Sequence, residues 1–145
     1  MINVKLAKEI DADGVHLGQD DLDIKAAREY LGADKIIGVS AHNVKEALEA
    51  ENGGADYLGS GAAFVTSTKT DAGAIDHKVL SDVAHSVKIP VVAIGGINKD
   101  NISQLEGLGL DGVAVVSAIF AADDISSAVI DLKAKAEKVA ESSVK

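Results

Sequence analysis

Pro90-Val91-Val92-Ala93-Ile94-Gly95-Gly96-Ile97-Asn98 decides how the rest of the chain reads. Its apolar run carries no charge and includes two β-branched valines, the pattern of a strand buried on both faces, as parallel strands are. Gly95 and Gly96 lack Cβ, so the backbone can turn sharply and approach another group closely. Asn98 can cap a helix beginning near Lys99. Strand, glycine turn and helix start would aim backbone N–H groups at one spot, where the helix dipole favours an anion by ~0.3–1 kcal/mol. A tight βα turn without a ligand explains the same residues equally well.

Outward from this stretch, one short pattern recurs: helix end, small residue, Asp, then a β run. It stands at Ala12-Asp13-Gly14-Val15, Gly32-Ala33-Asp34-Lys35-Ile36, Gly54-Ala55-Asp56-Tyr57-Leu58 and Gly109-Leu110-Asp111-Gly112-Val113. In the last three, glycine sits where a helix commonly ends. The separation is 21 residues from Asp13 to Asp34 and 22 from Asp34 to Asp56, enough for one helix and one strand. The chain therefore reads as a run of βα units. Strands are predicted at Gly14–Leu17, Ile36–Val39, Tyr57–Gly59, Val91–Ile94 and Gly112–Val116. Helices are predicted at Asn3–Ile10, Ile24–Leu31 capped by Asp23, Val44–Glu51 with Asn43 and Glu46 as a capping box, His77–Val87, Lys99–Leu108 and Asp124–Val139.

Parallel βα units allow a doubly wound sheet or part of a (β/α)₈ barrel. Every predicted strand ends in small or polar residues: Gly18-Gln19, Ser40-Ala41, Ser60-Gly61, Gly95-Gly96 and Ser117-Ala118. Ends converging on one polar mouth suit the barrel, because a doubly wound sheet uses only the loops at its switch point. The fold class expected is thus α/β, with parallel βα units forming a partial TIM barrel.

The 145 residues suit a single domain, 1–145, with a small polar tail expected to fray from 140 to 145. Lys and Arg total 14 against 23 Asp and Glu, a net charge of −9, and aromatics are few. That balance argues against nucleic acid as a partner. The absence of cysteine excludes disulfides and thiolate metal sites. The longest apolar runs are of strand length, so no membrane span or signal peptide is expected and the protein is expected to be soluble and cytoplasmic.

The connection from Ala62 to Asp76 is about 15 residues, against ~2–6 for an ordinary βα loop. Its Thr66-Ser67-Thr68-Lys69 offers three hydroxyls and an ammonium, suited to phosphate or pyrophosphate, although a surface loop would carry the same residues. Val116-Ser117-Ala118 lies beside Gly95-Gly96 in any barrel, and paired sites after two late strands form the usual barrel phosphate site. Asp20 and Asp21 in the turn after the first strand either hold Mg²⁺ through carboxylate oxygens or cap the next helix. Ser40 and His42 lack a nearby acid to complete a hydrolytic arrangement. His16 reads as structural, and His77 and His85 as helix-surface residues.

Taken together, Asp13-Gly14-Val15-His16-Leu17-Gly18-Gln19-Asp20-Asp21, Gly38-Val39-Ser40-Ala41-His42, Thr66-Ser67-Thr68-Lys69, Ala93-Ile94-Gly95-Gly96-Ile97 and Gly112-Val113-Ala114-Val115-Val116-Ser117-Ala118-Ile119 resemble the thiamine phosphate synthase family. The resemblance runs in order over nearly the whole chain. It implies a (β/α)₈ barrel that joins hydroxymethylpyrimidine diphosphate to thiazole phosphate, with Mg²⁺-assisted loss of pyrophosphate and attack by the thiazole nitrogen on a pyrimidine cation. It implies Ser40 and Lys69 at the diphosphate and Asp21 as a Mg²⁺ ligand. Thr66, Ser67 and Thr68 would hold the thiazole, and Gly96, Val116 and Ser117 its phosphate.

The resemblance also aligns these residues with strands four to eight of the family barrel. The family's pyrimidine contacts then have no counterpart here, and Met1 and Ile2 stand where its Asn-Asp pair would be. Ala62 and Val65 replace prolines usual in the family. Little activity is expected of the chain alone, and a homo-oligomer or a partner supplying the remaining strands is expected. Two alternatives are a thiazole tautomerase, with His42 as acid–base residue, and a non-catalytic phosphate-binding or assembly fragment.

Overall fold

The structure, a computed structural model, describes residues 4–65 and 74–143. Thr66, Ser67, Thr68 and Lys69 lie outside the described residues, as do Met1, Ile2 and Asn3. The elements are α1 Val4–Glu9, β1 Gly14–Leu17, α2 Ile24–Leu31, β2 Ile36–Ala41, α3 Val44–Gly53, β3 Tyr57–Gly61, α4 His77–Ser86, β4 Val91–Ile94, a 3₁₀ turn Ile102–Leu105, β5 Gly112–Ala114, α5 Ser117–Phe120 and α6 Ile125–Glu141. The strands form one parallel sheet in the order β1-β2-β3-β4-β5. Strand order never reverses, so the sheet has no switch point of the doubly wound kind.

Alternation along the strands separates two faces. Leu17, Ile37, Val39, Ala41, Leu58, Val91 and Ala93 are buried in one cluster with Ala27, Ala47, Ala50, Leu80, Val83, Leu132 and Val139 from the helices. Burying each large aliphatic side chain contributes ~1.5–3 kcal/mol. Ser60 is buried on this face, and its hydroxyl has no hydrogen-bond partner among the described residues. The opposite face pairs His16 with Gly38, Gly38 with Tyr57, Ser40 with Gly59, Gly59 with Val92, and Gly61 with Ile94. There Ile36 and Ile94 are exposed.

The recurring Asp has a mechanical role at the start of two strands. Before β3, Asp56 accepts the Ile37 amide of β2 at 2.7 Å; before β5, Asp111 accepts the Val91 amide of β4 at 2.8 Å. Each carboxylate ties its strand to the preceding one where the ladder begins. The caps also match the sequence: Asp23 accepts from Lys25 and Ala26, and Asn43 from Glu46. Glu46 returns the bond one residue early, to the His42 amide.

Several expectations need correction. No α-helix spans Lys99–Leu108. Asn98 turns its side chain onto the Asp100 amide, Asn101 bonds both the Asn98 amide and the Gly96 carbonyl, and only the 3₁₀ turn follows. These side-chain bonds offer the backbone an alternative to helix. β2 and β3 each extend two residues further than predicted, whereas β5 stops at Ala114, so Val116 and Ser117 belong to the start of α5. At the C-terminal end α6 runs to Glu141, after which Ser142 accepts from the Gly107 amide and Ser143 donates to the Leu110 carbonyl, and residues 144–145 lie outside the described residues.

Candidate active site

Because all strands are parallel, their C-terminal ends share one rim. From β1 and its turn this rim receives His16, Gln19 and Asp21; from β2, Ser40; from β4 and β5, the turns at Gly95-Gly96 and Val116-Ser117. His16 is the centre of the first group. Its Nδ1 lies 2.9 Å from the Tyr57 hydroxyl and its Nε2 lies 3.0 Å from Ser40 Oγ. The imidazole and phenol planes are tilted, with centroids 5.4 Å apart. Room for both rings comes from glycines on β2 and β3. A Cβ at Gly38 would stand 2.2 Å from the Tyr57 ring and 2.5 Å from His16 Nδ1; one at Gly59 would stand 3.0 Å from His16 Cε1.

Ser40 is held from two sides, by His16 at its hydroxyl and by the Gln19 amide group, which donates to its carbonyl at 2.5 Å. Burial pushes the His16 pKa down, so the imidazole is neutral near pH 7, while the Asp21 carboxylate works in the opposite direction. Burial raises the Tyr57 pKa, keeping the phenol protonated. His42 does not join this group. Its Nδ1 sits 2.9 Å from Glu46 at the start of α3.

Asp21 Oδ2 accepts the Gly18 amide at 2.9 Å, which folds the carboxylate back over its own turn; helix α2 is capped by Asp23 instead. A carboxylate oxygen suits Mg²⁺, which keeps several waters and takes one or two carboxylates plus phosphate oxygens. Asp21 fits as one such ligand. Among the described residues no three His, Cys, Asp or Glu side chains form a cage. Asp21 also borders a cleft of about 410 Å³ between α2 and α3.

At the other end of the rim, β4 and β5 pair Ile94 with Ala114, which sets the two turns side by side. Gly95 and Gly96 both have positive φ, and the group closely approaching them is backbone, not open space. Phe64 donates to the Gly95 carbonyl, and a Cβ at Gly96 would stand 2.7 Å from the Phe64 oxygen. Ser117 and Asn98 share a cavity of about 670 Å³ with Asp100, Asp123, Asp124 and Asp131. These carboxylates disfavour an anion there, and Lys99, which lines the same cavity, works the other way.

Comparison with known proteins gives this rim its context. A family profile described as "Thiamine monophosphate synthase" matches residues 2–119. The chain belongs to the thiamine monophosphate synthase family. It is 54% identical over 122 residues to the thiamine-phosphate synthase of Clostridium acetobutylicum, covering 84% of this chain and 58% of that protein. It is 50% identical over 130 residues to the thiamine-phosphate synthase of Clostridium beijerinckii, covering 90% and 62%. Among solved structures, thiamine phosphate pyrophosphorylase from Pyrococcus furiosus aligns with a TM-score of 0.84 at 47% identity, over 94% of this chain and 65% of that one. The chain thus spans less than two thirds of the length of these relatives.

For a thiamine monophosphate synthase family member, the structure puts Asp21 and Ser40 on one rim with Gly96, Val116 and Ser117. It leaves Thr66, Ser67, Thr68 and Lys69 outside the described residues. Tyr57 was not singled out from the sequence, and His16 was read as structural only. The strand register held the missing signal: pairing His16 with Gly38 and Gly38 with Tyr57 puts both rings on the face of Ser40. Among the described residues, no helix is long and apolar enough to cross a membrane.

Proposed function

We propose that this chain carries the reaction of its family: hydroxymethylpyrimidine diphosphate is joined to thiazole phosphate and pyrophosphate leaves. Ser40 and Lys69 contact the diphosphate, Thr66, Ser67 and Thr68 hold the thiazole, and Gly96, Val116 and Ser117 hold its phosphate. The observation that carries this reading is Ser40, fixed by His16 and Gln19 on the same rim as Asp21. Mg²⁺, bound through Asp21, would neutralise charge on the leaving pyrophosphate. The five strands correspond in this reading to strands four to eight of a barrel, with Ile36, Val92 and Ile94 facing its interior. Val39 and Leu58 lie on the opposite face and pack against the helices. β1 and β5 each pair on one side only among the described residues. Two such edges, together with exposed Ile36 and Ile94, support a homo-oligomer or a partner covering that face. Sedimentation at micromolar concentration checks this, a cooperative non-aggregating monomer counting against it.

The tautomerase alternative draws less support, because its acid–base residue, His42, is engaged by Glu46. The test of the synthase reading has two parts. Thiazole phosphate is expected to bind and to shift the amide resonances of Gly96 and Ser117. Thiamine phosphate formation from both substrates with Mg²⁺ is the second measurement. Absence of thiazole phosphate binding at saturation overturns the reading.

A further inference from the structure

Three side chains from three successive strands form a single hydrogen-bonded row: Tyr57 on β3, His16 on β1 and Ser40 on β2. Contact across β2, from β1 to β3, is possible only because Gly38 intervenes; a Cβ there would occupy the space of both rings. The row ends at the one hydroxyl on the rim that the proposed function places against a diphosphate. A serine hydroxyl has one proton and can use it in one direction only. If it donates to His16, it offers the substrate lone pairs, which repel a phosphate oxygen. If it accepts from His16, its proton is available to an anion.

The two imidazole nitrogens decide which case holds, because in the neutral ring one donates and the other accepts. A phenol O–H is a stronger acid, and so a better donor, than an imidazole N–H; an unprotonated imidazole nitrogen is a better acceptor than a phenol oxygen. Both preferences make Tyr57 the donor to Nδ1, so the ring proton resides on Nε2 and points at Ser40 Oγ. We propose that His16 is a positioning residue, locked by Tyr57 as the Nε2–H tautomer, which turns the Ser40 proton outward to an anionic diphosphate oxygen. The proposal rests on the assignment of Ser40 to the diphosphate. It adds a direction to that contact and gives roles to two residues the family motifs alone did not place.

The charged and titratable neighbours are consistent with a neutral relay. Tyr57 stays protonated, Asp21 lies within electrostatic reach of the imidazole, and burial outweighs that carboxylate in setting its charge. Gln19 occupies the Ser40 carbonyl and thereby fixes the backbone from which the hydroxyl swings.

The tautomer can be read directly from the ring nitrogen resonances of ¹⁵N-histidine protein at neutral pH. The expected pattern for His16 is a protonated Nε2 and an unprotonated Nδ1. A protonated Nδ1 in the wild-type chain overturns the proposal and needs no variant that must fold. The second measurement is pyrophosphate affinity in the presence of Mg²⁺. His16→Phe and Ser40→Ala are each expected to weaken it about ten-fold or more, with little further loss in the double variant, since a hydrogen bond to a charged group is worth at least about that factor. His16→Gln, whose amide N–H can reach Ser40 in place of Nε2, is expected to recover most of the affinity. Tyr57→Phe is expected to mix the tautomers and give an intermediate loss. Additive losses in the double variant, or equal losses for His16→Phe and His16→Gln, overturn the relay. A wild-type chain with the expected tautomer that does not bind pyrophosphate supports the relay's direction and overturns the diphosphate assignment, so the two failures are separable.

Discussion

The carboxylate of Asp56 accepts the backbone N–H of Ile37 at 2.7 Å, across the start of two neighbouring strands. The same oxygen also lies 2.6 Å from Arg28 Nη2, which donates further to the Gly54 carbonyl, while Arg28 Nη1 donates to that of Lys35. One side chain from α2 and one from the turn before β3 therefore fasten the N-terminal ends of β2 and β3, at the side of the sheet opposite the rim. Removing Asp56 leaves the Ile37 amide without that acceptor and Arg28 without its counter-ion. Asp56→Ala is expected to cost about 1–3 kcal/mol, the range for an unsatisfied, partly buried donor. Asp111→Ala, which frees the Val91 amide in the same way, is expected to cost a similar amount. Urea unfolding of each variant, with an unchanged slope and a lowered midpoint, checks this.

Acid should expose the same bond. Burial alone would raise the Asp56 pKa, but hydrogen bonds from Ile37 and Arg28 outweigh it and hold the group below its ordinary value. At Glu46 burial again opposes, and bonds from His42 and Asn43 prevail. A depressed folded-state pKa stabilises the fold above the unfolded value, about 4 for Asp and Glu, and that stability disappears as pH falls through the folded value. Stability should therefore be insensitive to these groups near neutrality and should decline below about pH 4. Asp56→Asn should be less stable near neutrality and show a shallower decline in acid. Thermal melts of both proteins between neutral and acid pH give the comparison, and an equally steep decline in the variant would contradict the assignment.

Glycine substitutions separate two physical causes. Gly38 has an ordinary φ but no room: a Cβ meets the Tyr57 ring at 2.2 Å and His16 at 2.5 Å. Gly32 has room, with nothing within 4 Å, but a φ of +92°. Gly38→Ala should cost about 1–3 kcal/mol by overpacking and should displace the His16 ring resonances. Gly32→Ala, at a φ and ψ of 92° and 178° that only glycine adopts readily, should cost about 1–3 kcal/mol through backbone conformation and leave those resonances in place. Equal perturbation of His16 by both would mean that the gap at Gly38 does not position the ring.

The parallel sheet and its strand starts could be read from the sequence because the Asp-plus-apolar repeat is a local pattern, and Asp56 and Asp111 proved to be what makes it physical. The failures occurred where side chains compete with the backbone. At Asn98 and Asn101 amide groups capture the main chain and prevent the helix expected at Lys99. Ser40 and Asp21 were legible as candidates through the family resemblance and their place after two strand ends. The partner of Ser40 was not visible, since His16 lies far away along the chain and reaches Ser40 only through the register of β1 on β2. His42, nearer in sequence, was the obvious imidazole, but the helix start beside it gave it Glu46 instead.

Asp21 makes the last prediction. Its carboxylate is already oriented by the Gly18 amide, and Mg²⁺ demands near-octahedral oxygen ligation that a single carboxylate cannot complete. Calorimetry is therefore expected to show weak Mg²⁺ binding by the chain alone and much tighter binding when pyrophosphate supplies further oxygens. Asp21→Asn keeps an oxygen for the Gly18 amide but loses the charge. It should preserve the fold, seen in an unchanged melting temperature to within about 2 °C, a shift of roughly 0.6 kcal/mol. It should weaken the joint binding of Mg²⁺ and pyrophosphate about ten-fold while leaving thiazole phosphate binding at Gly96 and Ser117 intact. If the variant binds Mg²⁺ and pyrophosphate as well as the parent does, Asp21 is not a ligand, and its role is confined to closing the turn after β1.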